Sequence, residues 1–161
     1  MRHPTLTSPH LWFPAARSLR RRIVAHVGPP NSGKTHNAIQ SLAASPSGIY
    51  AAPLRLLAQE VHQRLTATGL PTNLLTGQEH TEVPTARHTS CTVEMAAAIT
   101  DHVHCAVLDE AQLIADQGRG WAWTRMLLGA NADELLLCGN ESVVFYRAAA
   151  GERLRRPSSG G

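Results

Sequence analysis

Residues 28–35 read GPPNSGKT, and this short segment constrains the fold of the chain more than any other part of it. It matches every fixed position of the pattern Gly-x-x-x-x-Gly-Lys-Ser/Thr. A β-branched apolar run at 23–27 precedes it, and residues 35–44 have the apolar spacing of a helix. A loop placed between a strand and a helix in this way turns its backbone amides toward phosphate groups. The segment therefore predicts an α/β fold that binds a nucleotide.

Lys34 in this segment is unusual for the chain, because the other fourteen of its fifteen basic residues are arginines. The retained lysine indicates a need for a compact, flexible ammonium, which would reach the β and γ phosphates. Pro29 and Pro30 lack amide protons, so the phosphate contacts are expected from residues 31–35, and we expect binding to be retained. The residues predicted to bind the nucleotide are Gly28, Pro29, Pro30, Asn31, Ser32, Gly33, Lys34 and Thr35.

A second motif follows about 75 residues later, where residues 105–112 read CAVLDEAQ. An apolar strand that ends in two acids places Asp109 on the ligand side of a parallel sheet, beside Mg²⁺ held by the hydroxyl of Thr35. Glu110 is then placed to polarise the attacking water. Two acids after an apolar run also occur simply at the start of a helix, where they offset its dipole. Combined with the segment at 28–35, the phosphate loop, the acid pair Asp109 and Glu110 predicts nucleotide hydrolysis. Thr35 and Asp109 are the predicted ligands of Mg²⁺.

Strands and helices alternate along the rest of the chain, which predicts a mostly parallel sheet with helices on both faces. Strands are predicted at 23–27, 48–52, 73–76, 89–91, 105–108 and 134–138, and helices at 35–44, 54–65, 93–99, 121–128 and 143–153. With 161 residues, the chain has room for one such domain, at 22–154, followed by a flexible tail at 155–161. Trp121 and Trp123 are predicted to pack within their helix, and His102 and His104 to lie at a strand edge without binding a metal.

The composition supports a folded protein, because 43% of the residues are apolar and 17% are charged. No apolar run approaches the roughly 18 residues of a membrane span, which argues against a membrane or secreted protein. Cys91, Cys105 and Cys138 are widely spaced and lie in or beside apolar runs. They are predicted to be buried free thiols, which indicates a reducing compartment.

The N-terminal third is cationic, because seven basic residues and no acidic residue precede Glu60. A phosphate-bearing partner would explain this charge, and so would a solvated basic arm. Residues 1–21 include Pro4, Pro9 and Pro14, which predicts a basic arm rather than a helix. Their composition also resembles that of a mitochondrial transit peptide, although the prolines argue against the amphipathic helix that such a peptide needs.

Several further motifs support a family resemblance. They are AAPLRLLAQEV at 51–61, TG at 76–77, SCTVEM at 90–95, DEAQ at 109–112, GRGWAWTRMLLG at 118–129 and LLLCGN at 135–140. Together they resemble the first RecA-like domain of superfamily-two RNA helicases, most closely the mitochondrial-degradosome RNA helicase family and its bacterial relatives. The resemblance covers about residues 22–145.

The resemblance implies an ATP-dependent RNA helicase that uses ATP and Mg²⁺, with Lys34, Asp109, Glu110 and Gln112 as catalytic residues. The positions that it assigns to the RNA backbone are Pro53, Leu54, Arg55, Thr76, Gly77 and Thr92. Those that it assigns to coupling between ATP and RNA are Cys138, Gly139, Asn140 and Glu141, with Gln112 as the link between the two ligands. It implies RNA, a second helicase domain and an exoribonuclease as partners. The expected location is the bacterial cytoplasm, with the mitochondrial matrix as the alternative.

The chain departs from the family pattern in two ways. Gly139 is followed by Asn140 and Glu141 where the family has Glu-Pro, and the sequence ends where a second RecA-like domain should begin. The isolated domain should therefore bind nucleotide and hydrolyse it slowly. A regulatory module that binds nucleotide or RNA without helicase activity is an alternative. A thymidine-kinase-like phosphotransferase is another, but the chain lacks the Cys-x-x-Cys module of that family.

Overall fold

The computed structural model describes residues 21–29 and 33–155, with side chains as far as residue 150. The predicted arm at 1–21, apart from Arg21, and the predicted tail at 155–161, apart from Arg155, lie outside the described residues. Arg155 is the last residue of a helix rather than the start of the tail. Seven strands form one sheet in the spatial order β1-β7-β6-β2-β5-β3-β4. They are β1 Arg22–Val27, β2 Gly48–Ala52, β3 Thr72–Leu75, β4 His80–Thr81, β5 His88–Thr92, β6 Val103–Leu108 and β7 Ala132–Gly139. All neighbours pair in parallel except β3 and β4.

Within the described ranges, four α-helices and one 3₁₀ helix lie between these strands, and a fifth α-helix follows β7. They are α1 Lys34–Ala44, α2 Arg55–Ala67, α3 Val93–Ala96, α4 Gly120–Gly129 and α5 Ser142–Arg155, with the 3₁₀ helix at Ala111–Ala115. Buried residues of α1 and α2 pack on one face of the sheet, and those of α3, α4 and α5 pack on the other. The predicted parallel sheet with helices on both faces is therefore confirmed. No helix of the described residues is both long and apolar enough to cross a membrane.

The central strands are apolar on both faces because both faces are covered by helices. In β6, Cys105 and Val107 belong to the core beneath α1 and α2, whereas Ala106 and Leu108 belong to the core beneath α4. Successive side chains of a strand point to opposite faces, so a continuous apolar run supplies both cores. The three cysteines are buried and free, as predicted.

Three local features differ from the sequence prediction. The strand β4 was not predicted, because its two residues are exposed and polar. The 3₁₀ helix after Glu110 was also missed. The helix predicted at 93–99 ends at Ala96, because the amides of Ala98 and Ile99 bond to carbonyls three residues earlier, which tightens the chain into turns.

Arg21, the last residue of the predicted arm, is buried against α4. Its guanidinium donates to the carbonyl of Leu127 at 2.6 Å and to that of Ala130 at 3.2 Å. Carbonyls at the end of a helix lack partners within the helix, so the arginine satisfies two of them. Burial lowers the pKa of Arg21 to about 10.

Candidate active site

The phosphate loop, residues 28–35, begins at the carboxyl end of β1, and its last two residues, Lys34 and Thr35, begin α1. Pro30, Asn31 and Ser32 lie outside the described residues. Gly33 has a φ of 85°, a left-handed conformation that glycine adopts without steric cost, and its carbonyl accepts the first helical bond, from Asn37. The Lys34 Nζ atom donates to the carbonyl of Gly28 at 2.9 Å, so the ammonium spans the two ends of the loop.

Asp109 follows β6 directly and is 4% exposed. Its Oδ1 atom lies 3.4 Å from the Thr35 hydroxyl and accepts the Glu110 amide at 2.9 Å, while Oδ2 accepts the hydroxyl of Tyr50 at 2.6 Å. Burial, aided by the charge of Glu110, raises the pKa of Asp109, although these hydrogen bonds oppose the shift. A buried carboxylate beside a hydroxyl offers two oxygen ligands of the kind that Mg²⁺ prefers. Thr35 and Asp109 therefore fit a magnesium ion that would offset the burial of the charge.

Glu110 turns the chain away from β6. Its backbone has a φ of 48° and a ψ of 50°, and it is the only residue other than glycine with a positive φ in the described ranges. Its carboxylate accepts a hydrogen bond from the Gln112 side-chain amide. The Gln112 Oε1 atom in turn accepts the backbone amide of Asn140 at 3.2 Å. Gln112 thus joins the second acid of the pair to the loop between β7 and α5.

The loop after β7 lies against both motifs. The amide of Gly28 donates to the carbonyl of Gly139 at 3.2 Å, which ties the phosphate loop to the end of β7. A Cβ atom at Gly139 would overlap Gln112 Oε1 and the side chain of Val143, so this position requires glycine. Asn140 Oδ1 accepts the amide and hydroxyl of Ser142, the first residue of α5. The departure from the family pattern thus supplies a polar cap for α5.

Cys138 and Glu141 are the remaining residues of the predicted coupling segment, residues 138–141. Cys138 is fully buried, and its thiol lies 4.0 Å from the carbonyl of Lys34. Burial raises the pKa of the Cys138 thiol to about 12, so the thiol stays protonated and packs beneath the phosphate loop. Glu141 is exposed. The four residues of the segment therefore lie at the same edge of the sheet as the acid pair.

The residues predicted to contact RNA lie on the neighbouring half of that edge. Pro53, Leu54 and Arg55 follow β2, Thr76 and Gly77 follow β3, and Thr92 ends β5. The strands β2, β5 and β3 are consecutive in the sheet, as are β1, β7 and β6, which carry the phosphate loop, the coupling segment and the acid pair. The carboxyl edge of one sheet is thus divided into two adjacent halves.

An arginine that sequence reasoning missed lies at the boundary between these halves. Arg119 donates to the Glu94 carboxylate at 2.8 and 3.1 Å and to the carbonyl of Pro53 at 2.7 Å. Its guanidinium lies 5.0 Å from the centre of the Trp123 ring, and the indole of Trp123 donates to the carbonyl of Asp109 at 3.0 Å. The signal that could have found Arg119 is its place in the GRGWAWTR motif.

Two more side chains escaped sequence reasoning, Tyr50 beneath Asp109 and Glu79 beside Arg55.

The packing prediction holds for Trp123, which is fully buried, whereas Trp121 is 54% exposed because it faces away from the sheet. His102 bonds to Asp133, and His104 bonds to Ser47. No group of three potential metal ligands of the His, Cys, Asp and Glu types occurs among residues 21–29 and 33–150.

Comparison of the sequence with known proteins places the chain in a family. The family described as the DEXQ-box helicase domain of Suv3 matches residues 9–149. The ATP-dependent RNA helicase SUV3, mitochondrial, of Oryza sativa subsp. japonica is 54% identical over 139 residues, which are 86% of this chain and 24% of that protein. The ATP-dependent RNA helicase SUPV3L1, mitochondrial, of Homo sapiens is 47% identical over 143 residues, which are 86% of this chain and 18% of that protein. The chain thus spans about a fifth of the length of these relatives.

Two solved structures share the fold of this chain. Dbp5 of S. cerevisiae, bound to Nup159, Gle1, IP6 and ADP, matches with a TM-score of 0.61 and 21% identity over 94% of this chain and 47% of that one. A DEAD box protein from the hyperthermophile Methanococcus jannaschii matches with a TM-score of 0.55 and 20% identity, over 74% of this chain and 39% of that one. The sheet is that of a RecA-like domain, and the chain belongs to the family of the DEXQ-box helicase domain of Suv3.

Proposed function

We propose that the chain is the ATP-binding RecA-like domain of an ATP-dependent RNA helicase, in which ATP hydrolysis is coupled to the binding and unwinding of RNA. The observation that carries the proposal is the approach of the Thr35 hydroxyl to the Asp109 carboxylate, 3.4 Å apart and 74 residues apart in sequence. It brings the end of the phosphate loop to the acid pair, which nucleotide hydrolysis by this fold requires. The relatives named as ATP-dependent RNA helicases support the same function.

Each residue of the site then has a role that its position supports. Backbone amides of the phosphate loop and the Lys34 ammonium bind the phosphates, with Lys34 leaving the Gly28 carbonyl to do so. Thr35 and Asp109 hold Mg²⁺, which neutralises charge on the phosphates when it is bound. Glu110 orients the attacking water and accepts its proton, and Gln112 relays the position of Glu110 to the loop after β7.

Helicase activity is proposed to require a second RecA-like domain. A second RecA-like domain would close the nucleotide cleft and supply an arginine to the transition state, a contribution of roughly 10³- to 10⁵-fold where such fingers act. The present domain is therefore proposed to bind nucleotide well and to hydrolyse it slowly. An exoribonuclease is the other proposed protein partner.

The half of the sheet edge formed by β2, β5 and β3 is proposed to bind the RNA backbone, with the basic arm at 1–21 adding charge. Hydroxyl groups, loop backbone atoms and one arginine are suited to contact phosphates without reading the bases.

The relatives' names contain the word mitochondrial, which supports the mitochondrial matrix as the location. The bacterial cytoplasm stays a prediction that these names do not test.

The direct test of the nucleotide site is the variant Lys34→Ala. We expect it to abolish the rise in melting temperature that ATP and magnesium give the unmodified chain, because it removes the ammonium of the phosphate loop. Arg125→Ala is the matched control, since it removes a cation from an exposed position of α4 and should keep the full shift. Equal stabilisation of Lys34→Ala and the control would contradict the assignment of the loop.

A further inference from the structure

Two of the residues proposed to contact RNA share a single carboxylate. Glu79 Oε1 accepts a hydrogen bond from Arg55 Nε at 2.7 Å, and Arg55 Nη2 forms an ion pair with the same oxygen at 2.6 Å. The same Oε1 atom accepts the side-chain amide of Gln59 at 2.9 Å, and Oε2 accepts the hydroxyl of Thr76 at 2.7 Å. Three side chains, two from α2 and one that directly follows β3, thus donate hydrogen bonds to one carboxylate.

This arrangement is that of a phosphate contact in which a carboxylate takes the place of the phosphate. Guanidinium, amide and hydroxyl groups are the donors that bind phosphate oxygens, and all three kinds contact the Glu79 carboxylate. Thr76 is 4% exposed, and its hydroxyl donates its one proton to Glu79 Oε2, so this hydroxyl cannot donate to an RNA phosphate while the carboxylate remains in place.

We propose that Glu79 is an affinity-determining residue of the RNA surface, whose carboxylate competes with an RNA phosphate for Arg55 and Thr76. RNA binds this part of the surface by displacing the carboxylate into solvent. The inference rests on the proposed function, because it takes Arg55 and Thr76 as RNA contacts.

The local backbone allows this exchange. The turn after β3 is closed by backbone atoms and by the Thr76 oxygen: the Thr76 amide donates to the Glu79 carbonyl at 2.8 Å, and the Gln78 and Glu79 amides donate to Thr76 Oγ1. None of these bonds uses the Glu79 carboxylate. The Arg55 side chain is 45% exposed and that of Glu79 is 22% exposed, so water can solvate both groups as they separate.

The expected size of the competition is modest. Exposed ion pairs of this kind contribute little, so displacing Glu79 lowers the affinity for RNA by about two- to fivefold rather than preventing binding. The competition also changes how the affinity for RNA depends on salt concentration. Because Arg55 is already neutralised by Glu79, its contact with a phosphate releases less counterion than a free arginine would release.

The variant Glu79→Gln removes the competing charge and keeps the shape of the side chain. The control is Glu82→Gln, which removes the same charge from an exposed position of the same segment, where the carboxylate contacts His80. Binding of each full-length variant to a fluorescent uniform-sequence single-stranded RNA is measured by anisotropy over a series of salt concentrations. Circular dichroism and melting temperatures confirm that the variants are folded.

We expect Glu79→Gln to bind RNA about two- to fivefold more tightly than Glu82→Gln at low salt. The slope of log affinity against log salt should steepen by up to about 0.7, the value for one further phosphate contact to a single strand. The double variant Arg55→Ala/Glu79→Gln should gain less affinity over Arg55→Ala alone, because only the competition for Thr76 then remains.

If Glu79→Gln and Glu82→Gln bind RNA with equal affinity and the wild-type chain also binds it, the proposed competition is contradicted. The proposed function is unaffected by that result. Weaker binding by Glu79→Gln would also overturn the competition, because Glu79 would then be orienting Arg55 toward RNA. If neither the wild-type chain nor any of these variants binds RNA, both the RNA-binding part of the proposed function and this inference fail.

Discussion

Asp109 is the residue at which most of the polar contacts of the site converge, through Thr35, Tyr50, the Glu110 amide and the Trp123 indole. Asp109 and Glu110 are adjacent in sequence but differ in surroundings, since Asp109 is buried and Glu110 is partly exposed. The first is suited to hold a cation and the second to accept a proton from water.

Substitutions of the two acids should therefore have different effects on nucleotide binding and hydrolysis. Asp109→Ala should remove the dependence of nucleotide binding on magnesium, because it removes one of the two proposed ligands. Glu110→Gln should keep nucleotide binding and lower the rate of hydrolysis by roughly 10²- to 10⁴-fold, because it removes a base and keeps the shape. Thermal shifts over a magnesium series and single-turnover hydrolysis measure both effects. The opposite pattern would show that the roles are reversed.

The hydroxyl of Tyr50 is a positioning group for Asp109. Burial raises the pKa of Tyr50, so the phenol stays protonated and donates its proton to the carboxylate. Tyr50→Phe should lower the free energy of unfolding by about 1.5–3 kcal/mol, because it leaves a buried carboxylate oxygen without this donor. It should also raise the magnesium concentration needed for nucleotide binding, since Asp109 is no longer held in place. Tyr146→Phe makes the same chemical change away from Asp109, and a magnesium requirement equal in both variants would contradict the role of Tyr50.

At the scale of elements, α3 and α4 meet the β2 loop through the pair of Glu94 and Arg119. Arg119 comes directly before α4, Glu94 lies in α3, and the Pro53 carbonyl belongs to the loop after β2. The hydrogen bond from Arg119 lowers the pKa of Glu94. The pair therefore joins, in a pH-dependent way, the half of the sheet edge that carries the phosphate loop to the half that is proposed to bind RNA.

The sign of this dependence follows from the lowered pKa. The pair stabilises the fold fully above the unfolded pKa of glutamate, about 4.5, and its contribution is lost as the pH falls below that value. Glu94→Gln should thus be less stable than wild type at neutral pH, by about 1 kcal/mol or less for so exposed a pair, and the difference should shrink on acidification. Urea unfolding at a series of pH values measures it, with the exposed Asp101→Asn as control. A difference that stays constant from neutral to acid pH would show that the charge of Glu94 is not responsible.

At the scale of the whole molecule, the residues proposed to bind the nucleotide and those proposed to bind RNA lie on the same sheet edge. ATP hydrolysis and RNA binding are coupled when two RecA-like domains close over both ligands. We propose that this domain supplies one side of each site.

The purified chain of 161 residues should therefore hydrolyse ATP slowly, show little stimulation by single-stranded RNA and separate no RNA strands. Its binding to RNA should be weak, should fall steeply with salt and should vary little with base sequence. Steady-state ATPase and unwinding assays test this, with Lys34→Ala as the background. Strong RNA-stimulated turnover by the monomer would mean that this chain itself supplies the arginine that we propose to come from a second domain, and that part of the proposal would fail.

The sequence alone determined the architecture and the positions of the main motifs. The six predicted strands were found, because continuous apolar runs and helical spacing are local patterns that a parallel α/β sheet imposes on its sequence. The phosphate loop and the acid pair were recognisable for the same reason, since each depends on a few residues that are close in the chain. The strand β4 was missed because its pairing with β3, rather than an apolar pattern, makes it a strand.

The tertiary structure alone decided which side chains support these motifs. Tyr50 and Asp109 are 59 residues apart, Arg119 and Pro53 are 66 apart, and Arg55 and Glu79 are 24 apart. Each pair meets only because the strand order brings β2 between β6 and β5 and places β3 next to β5. The residues themselves carry no local sign of their partners, because a tyrosine, an arginine or a glutamate suits many environments. Their contacts follow from the order of the strands, which the packing of both cores determines.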